Sequence, residues 1–248
     1  MERYQDYDNF AWLYDKEWAA YGENIFPALK DIAGDKLPDG SNVLDLCCGT
    51  GQLAKGLLEK GYKVTGLDGS AEMIKHARIN APAAEFIVDD ARTFELPAKF
   101  DAVFSTFDAL NHIMTLEELQ QAFTRVYQCL KIGGVFIFDL TTKKHFEMHM
   151  KEVNIVREKP GYLFTVRGSY NEEAKTGEFH CTIFQPQGDN WKRSDVKLHQ
   201  TWYPCEDVKS ALENAGFSGV KAHTFNEQHE LMEVTEDTFR VFFRAEKP

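Results

Sequence analysis

The stretch Val43-Leu44-Asp45-Leu46-Cys47-Cys48-Gly49-Thr50-Gly51-Gln52-Leu53-Ala54 constrains this chain most. Apolar residues around one Asp read as a short buried strand. A Gly-Thr-Gly turn follows. Gln52–Lys60 then reads as a helix, with Leu53, Leu57 and Leu58 at helical spacing. Gly49 and Gly51 lack a side chain, so the turn can reach positive φ and a ligand can approach the backbone. The helix start leaves N–H groups without intrahelical partners, and these can face an anionic group. A strand, a glycine turn and a helix start together make a nucleotide-binding corner.

The flanking pattern extends this corner into a sheet. Tyr62–Asp68, Ala84–Val88, Phe100–Ser105 and Val135–Leu140 read as further strands. Helices are expected over Ala71–Asn80, with Ser70 as N-cap, and from about Leu116 to Leu130. Gly133-Gly134 reads as a turn before the fifth strand. Alternating strands and helices over residues 41–140 predict a doubly wound α/β sheet, in which ligands bind beyond the carboxyl ends of the strands. Asp68, Asp90, Ser105 and Asp139 fall at or near those ends.

Near residue 153 the pattern changes. Asn154–Glu158, Tyr162–Tyr170, Gly177–Gln185 and Trp191–Tyr203 read as strands joined by short turns, an antiparallel meander. Helical spacing returns at Glu206–Ala215, and Val220–Phe225 and Thr238–Glu246 read as the last strands. The meander is an insert between strand five and the last helix. It is expected to cover the binding crevice, or else to form a homodimer surface.

Residues 4–33 carry Tyr4, Tyr7, Phe10, Trp12, Tyr14, Trp18, Tyr21 and Phe26. Phe10, Tyr14, Trp18 and Tyr21 share a helical face. That stripe either packs on the main sheet or forms a lid whose phenols reach a ligand.

The balance of 28 Lys and Arg against 39 Asp and Glu gives a net charge of -11. No basic cluster offers a nucleic acid its backbone partner. The five cysteines are odd in number and lack a disulfide spacing, which fits a reduced, cytoplasmic setting. Met1–Asp6 has no apolar signal core, and no run approaches membrane-spanning length. No His pair with a carboxylate has metal spacing, so no metal is expected.

A glycine corner serves several cofactors. A dinucleotide site has G-x-G-x-x-G, whereas here Ala54 stands at the last glycine position and Asp45 lies within the strand. An acid beside a pyrophosphate repels it, and attracts a cationic ligand. With Asp45…Gly49-Thr50-Gly51, Asp68, Asp90-Ala91 and Phe100-Asp101-Ala102-Val103 in this order, the chain resembles the class I S-adenosylmethionine-dependent methyltransferases. The aromatic N-terminus, the meander and His199-Gln200-Thr201-Trp202-Tyr203-Pro204 are similar to a branch that acts on small molecules.

The resemblance implies a seven-stranded Rossmann-like sheet. Residues 1–150 and 204–248 would form the donor-binding domain, with 1–35 as a helical lid and 151–203 as the antiparallel cover. It implies S-adenosylmethionine as cofactor and S-adenosylhomocysteine as product. Gly49, Thr50 and Gly51 would hold the methionine part, with Asp45 favouring its ammonium. Asp68 would accept from the ribose hydroxyls, Gly69 and Met73 would lie near ribose and adenine, and Asp90 and Ala91 would hold adenine. Ser105 and Thr106 would line the sulfonium end, and Tyr7, Tyr14 and Trp18 would close over it.

The expected activity is methyl transfer to an N or O atom of a small molecule, by in-line displacement. His112, His199 and Tyr203 are the candidate bases. Arg167, Tyr170, Phe179, His199 and Trp202 are the expected acceptor walls. A non-catalytic donor-binding sensor and a nicotinamide oxidoreductase are the alternatives.

Overall fold

The computed structural model describes residues 4–19, 25–226 and 230–248. Tyr21 and His229 lie outside the described residues. The main sheet runs β1 (Asn42–Leu46), β2 (Lys63–Asp68), β3 (Glu85–Val88), β4 (Phe100–Ser105) and β5 (Leu130–Thr141), all parallel. It is completed by β10 (Ser218–Phe225), β11 (Leu231–Met232) and β12 (Arg240–Glu246). The spatial order is β11-β10-β12-β5-β4-β1-β2-β3, with β12 antiparallel to β5. Seven of these strands are the expected ones. The eighth, β11, is a two-residue addition paired to the end of β10. Among the described residues, no helix is long and apolar enough to cross a membrane.

Strand β5 is longer than the sequence pattern suggests. The Gly133-Gly134 pair lies inside it, with Gly133 at φ +77°. The register against β4 shifts between Phe100 and Ala102. The glycines thus make an irregularity within the strand, where a free-standing turn was expected.

The sheet is covered on both faces, which is why Ala102–Phe104 of β4 and Val135–Phe138 of β5 are unbroken apolar runs. One face packs Leu44, Val103, Phe136 and Phe138 under Leu119, Phe123 and Val126 of α5 (Leu116–Cys129) and Leu212 of α7 (Cys205–Asn214). The other packs Val43, Phe104 and Ile137 under Leu29 and Ile32 of α2 (Phe26–Ala33) and Leu53 and Leu57 of α3 (Gln52–Glu59). The helix α4 (Ala71–Asn80) is capped as its sequence predicts, with Ser70 Oγ accepting from Met73 N at 3.1 Å.

A second sheet, β6-β7-β8-β9, is wholly antiparallel. Its strands are Asn154–Lys159, Tyr162–Asn171, Thr176–Gln187 and Asn190–Thr201. It follows the short helix α6 (Lys143–Met148) and leads into α7.

The N-terminal helix α1 (Gln5–Glu17) is where packing departs from the first reading. Its aromatic stripe does not lie on the main sheet. Leu13 is buried with Phe164, Val166, Cys181, Ile183, Val196 and Leu198 of the second sheet, and Tyr7, Phe10, Trp12 and Trp18 join them. Toward α4, α1 makes polar contacts. Asp8 Oδ1 accepts from Ser70 Oγ at 2.6 Å and Glu72 N at 3.2 Å, and Asp15 Oδ1 accepts from Asn80 Nδ2 at 2.7 Å. The reason is amphipathicity. The insert needs an apolar cover for one face, whereas the main sheet is already covered.

Candidate active site

The carboxyl ends of β1, β2 and β4, the helix α1 and strand β9 enclose a cavity of about 420 Å³. Its floor is the glycine turn. Cys47 and Gly49 both adopt left-handed backbone, φ +58° and +53°. A Cys at such a position is strained where glycine is not, which is the structural meaning of a non-glycine residue there. Gly49 lies under the Tyr14 ring, where an added Cβ would come within 3.4 Å of it. Gly51, at φ +86°, is required for a different contact. A Cβ there would meet Ala77 of α4 at 3.0 Å, so this glycine lets two helices approach.

Asp68 ends β2 on the cavity wall. Its Oδ2 accepts from Gly49 N and its Oδ1 from Ser70 N, each at 2.9 Å. Each oxygen keeps a lone pair, enough for two further donors such as a vicinal diol. Burial pushes its carboxyl up to about 6, against the two backbone N–H bonds, which lower it. Asp45 lies beneath the turn, 2% exposed, and its Oδ2 has no hydrogen-bond partner. Burial, reinforced by Asp68, raises it to about 8. A buried acid with an open oxygen under a glycine turn suits a cationic group arriving above it.

Asp90 and Ala91 reach the cavity. Asp90 is also ion-paired: its Oδ1 accepts from Arg92 Nε at 2.7 Å and Arg92 N at 2.9 Å, and Arg92 Nη2 binds Oδ2. Burial works against ionisation there, and the Arg92 contacts outweigh it, so the carboxyl lies below its ordinary value. Tyr4 stacks directly on Gly69, leaving no space for a Cβ.

Of the residues singled out in the sequence, Tyr7, Tyr14, Gly49, Asp68, Gly69, Met73, Asp90, Ala91, Thr106, His112 and His199 line this one cavity. Six do not. Trp18 packs on Phe164 of the insert. Asp45 lies under the floor. Thr50 is buried and donates its hydroxyl to Gln52 Oε1. Gly51 faces Ala77, and Ser105 is buried behind the wall. Tyr203 does not line the cavity and donates to the carbonyl of Ile113, which does.

Four of the expected acceptor walls also lie elsewhere. Trp202 Nε1 donates to Tyr170 Oη at 2.9 Å, Phe179 packs in the insert core and Arg167 is exposed. Alternation along β7 and β8 alone could not say which face turns toward the crevice. Tyr4, Phe10, Cys47, Arg92, Phe107, Met114, Glu118 and Lys197 line the cavity without having been expected there. For Tyr4 and Phe10 the signal was present, since they share the aromatic stretch with Tyr7.

His112 sits in the short turn Ala109–His112 after β4, with the Tyr7 ring edge-on at 5.4 Å. Its Nδ1 lies 2.8 Å from the His199 carbonyl and its Nε2 lies 3.0 Å from Gln200 Nε2. Burial lowers its pKa, and Asp108 opposes that. The cysteines are all free, and burial pushes the Cys47 and Cys48 thiols up, which leaves them protonated and unreactive. Among the described residues, no group of His, Cys, Asp and Glu has the arrangement of a metal site. A second depression, lined by Pro160, Tyr162, Phe184 and Trp191 at the hairpin tips, involves none of the strand-end residues.

Residues 43–134 match the family profile described as a methyltransferase domain. The chain is 30% identical over 212 residues to the dTDP-3-amino-3,4,6-trideoxy-alpha-D-glucopyranose N,N-dimethyltransferase of Streptomyces venezuelae, covering 85% of this chain and 87% of that one. The chain belongs to the class I S-adenosylmethionine-dependent methyltransferases. It is an enzyme of that family, and the non-catalytic and nicotinamide alternatives fall away. The fold of this methyltransferase is similar to that of an S-adenosylmethionine-dependent methyltransferase from Clostridium acetobutylicum. The TM-score is 0.80 at 22% identity, over 97% of this chain and 98% of that one. It is also similar to the sugar N-methyltransferase KedS8 from a Streptoalloteichus species. There the TM-score is 0.75 at 20% identity, over 97% and 92% of the two chains.

Proposed function

We propose that this methyltransferase acts on an amine nitrogen of a small, polar acceptor of the amino-sugar type. The observation that carries the reading is the composition of the strand-end cavity. It joins a glycine turn and strand-end acids on one side to His112 and the inserted strand β9 on the other. The relative that is 30% identical is named for N,N-dimethylation of an amino sugar, which supports nitrogen over oxygen.

S-adenosylmethionine supplies a methyl group on an already activated sulfonium, so the chain's task is mainly alignment. Asp45 and the backbone of Gly49, Thr50 and Gly51 would hold the ammonium end. Asp68 would accept from both ribose hydroxyls. Gly69, Met73, Asp90 and Ala91 would bound the adenine, and Thr106 the reacting end, with Ser105 behind it. Tyr7 and Tyr14 close the cavity from α1 and exclude water. Trp18 would act indirectly, by fixing α1 on the insert. An amine acceptor is largely protonated at neutral pH and must lose one proton before its nitrogen can react. His112 would take that proton at Nε2, and His199, half-exposed on the rim, would contact the acceptor.

The test combines calorimetry with turnover. S-adenosylhomocysteine should bind, and methyl transfer should be detected to a dTDP-3-amino-sugar or a simpler amino sugar. For His112→Asn, turnover should fall by about 10²-fold or more while S-adenosylhomocysteine affinity stays. Methylation of hydroxyl acceptors alone would overturn the nitrogen reading. Full turnover by His112→Asn would remove the base.

A further inference from the structure

Five side chains on four elements form one continuous hydrogen-bonded line behind His112. Arg240, opening β12, donates through Nη2 to Asp108 Oδ1 at 2.6 Å. Its Nη1 binds Asp139 Oδ2. Asp108 Oδ2 accepts from Gln200 Nε2 at 2.6 Å, and the same Gln200 nitrogen lies 3.0 Å from His112 Nε2. His112 Nδ1 in turn faces the His199 carbonyl at 2.8 Å.

The donor and acceptor roles along this line are forced. A guanidinium only donates, so Asp108 accepts as a carboxylate. Burial opposes that charge and Arg240 more than compensates, leaving Asp108 below its ordinary value. A carboxylate only accepts, so the Gln200 group beside it is the NH2 end. The second hydrogen of that NH2 then points at His112 Nε2, which must carry a lone pair. A backbone carbonyl also only accepts, so His112 Nδ1 carries the proton. Protonating Nε2 would set an N–H against the Gln200 N–H. Each link therefore selects the same neutral tautomer.

We propose that Gln200 is a positioning residue for His112: its amide, oriented by Asp108, holds the imidazole neutral, with the proton on Nδ1 and the lone pair on Nε2. The proposal deepens the reading of His112 as the base and rests on it. Gln200 is 2% exposed and lies next to the end of the inserted sheet, so the insert supplies part of the base's environment as well as a wall. A proton on His112 Nε2 displaces the Gln200 N–H, and an arriving acceptor's N–H can do the same, which ties deprotonation to acceptor arrival. The charged and titratable groups around His112 are Asp108 on its own loop, Tyr7 on α1, His199 on β9 and, through Asp108, Arg240 on β12.

The test is a long-range 1H–15N spectrum of His112 in the S-adenosylhomocysteine complex, titrated with acid, for the wild type, Gln200→Glu and Gln200→Leu. The expected wild-type result is a protonated Nδ1 and a bare Nε2, with a titration midpoint below that of free histidine. Gln200→Glu exchanges a donor for an acceptor at Nε2. It should raise the midpoint by one pH unit or more, and Gln200→Leu should raise it by less. The acid limb of the kcat profile should follow the same order. A wild-type spectrum with the proton on Nε2 overturns the proposal, as does a midpoint that neither variant moves. The spectrum needs no acceptor, so it separates failure here from failure of His112 as the base, which His112→Asn decides by turnover.

Discussion

Asn111 and Thr201 are joined by a 2.7 Å hydrogen bond, from the side-chain Nδ2 of one to the backbone carbonyl of the other. The same Nδ2 donates to the Thr141 carbonyl at 3.2 Å, and Asn111 Oδ1 accepts from Thr141 N at 2.9 Å. Thr141 ends β5 and Thr201 ends β9. One side chain therefore clasps the point where the chain leaves the main sheet and the point where the inserted sheet ends. Its neighbour His112 is placed by the same turn.

Asn111 is 0% exposed, so water cannot replace its bonds. Asn111→Ala should leave three backbone groups short of a partner, at about 1–3 kcal/mol for each that stays unpaired. Urea denaturation should show the loss, and hydrogen exchange should concentrate it at Thr141 and Thr201. A loss under about 0.5 kcal/mol would mean that the clasp is not holding the insert.

Asp45 makes stability depend on pH in an unusual direction. The unfolded carboxyl ionises near its ordinary value of 3.8, whereas burial holds the folded one up to about 8. Between those values the folded chain binds more protons than the unfolded one, so stability falls as pH rises through that window. Asp45→Asn should remove this decline. The two proteins should have similar unfolding midpoints at pH 4, and the variant should be the more stable at pH 8. Parallel stability curves across pH 4–8 would contradict the buried, protonated Asp45. The wild type should also release protons on binding S-adenosylhomocysteine at pH 7, detected calorimetrically in buffers of different ionisation enthalpy, because an ammonium above Asp45 favours its carboxylate.

Tyr4 and Gly69 are in direct contact, and a Cβ at residue 69 would come within 2.1 Å of the Tyr4 ring. Gly69→Ala should displace Tyr4, with an overpacking cost of about 1–3 kcal/mol. In the double variant with Tyr4→Ala that cost should disappear, giving a strongly non-additive cycle by denaturant unfolding. Additive losses would show that Tyr4 does not rest on Gly69.

Legibility differed between the parts of the site for a physical reason. The parallel strands, the glycine turn and the acids Asp68 and Asp90 are local matters of apolar runs, turn chemistry and strand ends. The sequence alone therefore determined a doubly wound sheet and the residues around the donor corner. Separate questions were decided by packing between elements far apart in the chain. Which surface α1 covers depended on the insert having an apolar face without a helix. Which face of the meander meets the crevice depended on the clasp at Asn111. The surroundings of His112 were decided last, since Arg240 and Gln200 reach the loop of Asp108 and His112 from two distant segments. Periodicity records which residues share a face of one element. Only the tertiary structure decides what that face meets, because burial and hydrogen bonding are satisfied jointly across elements.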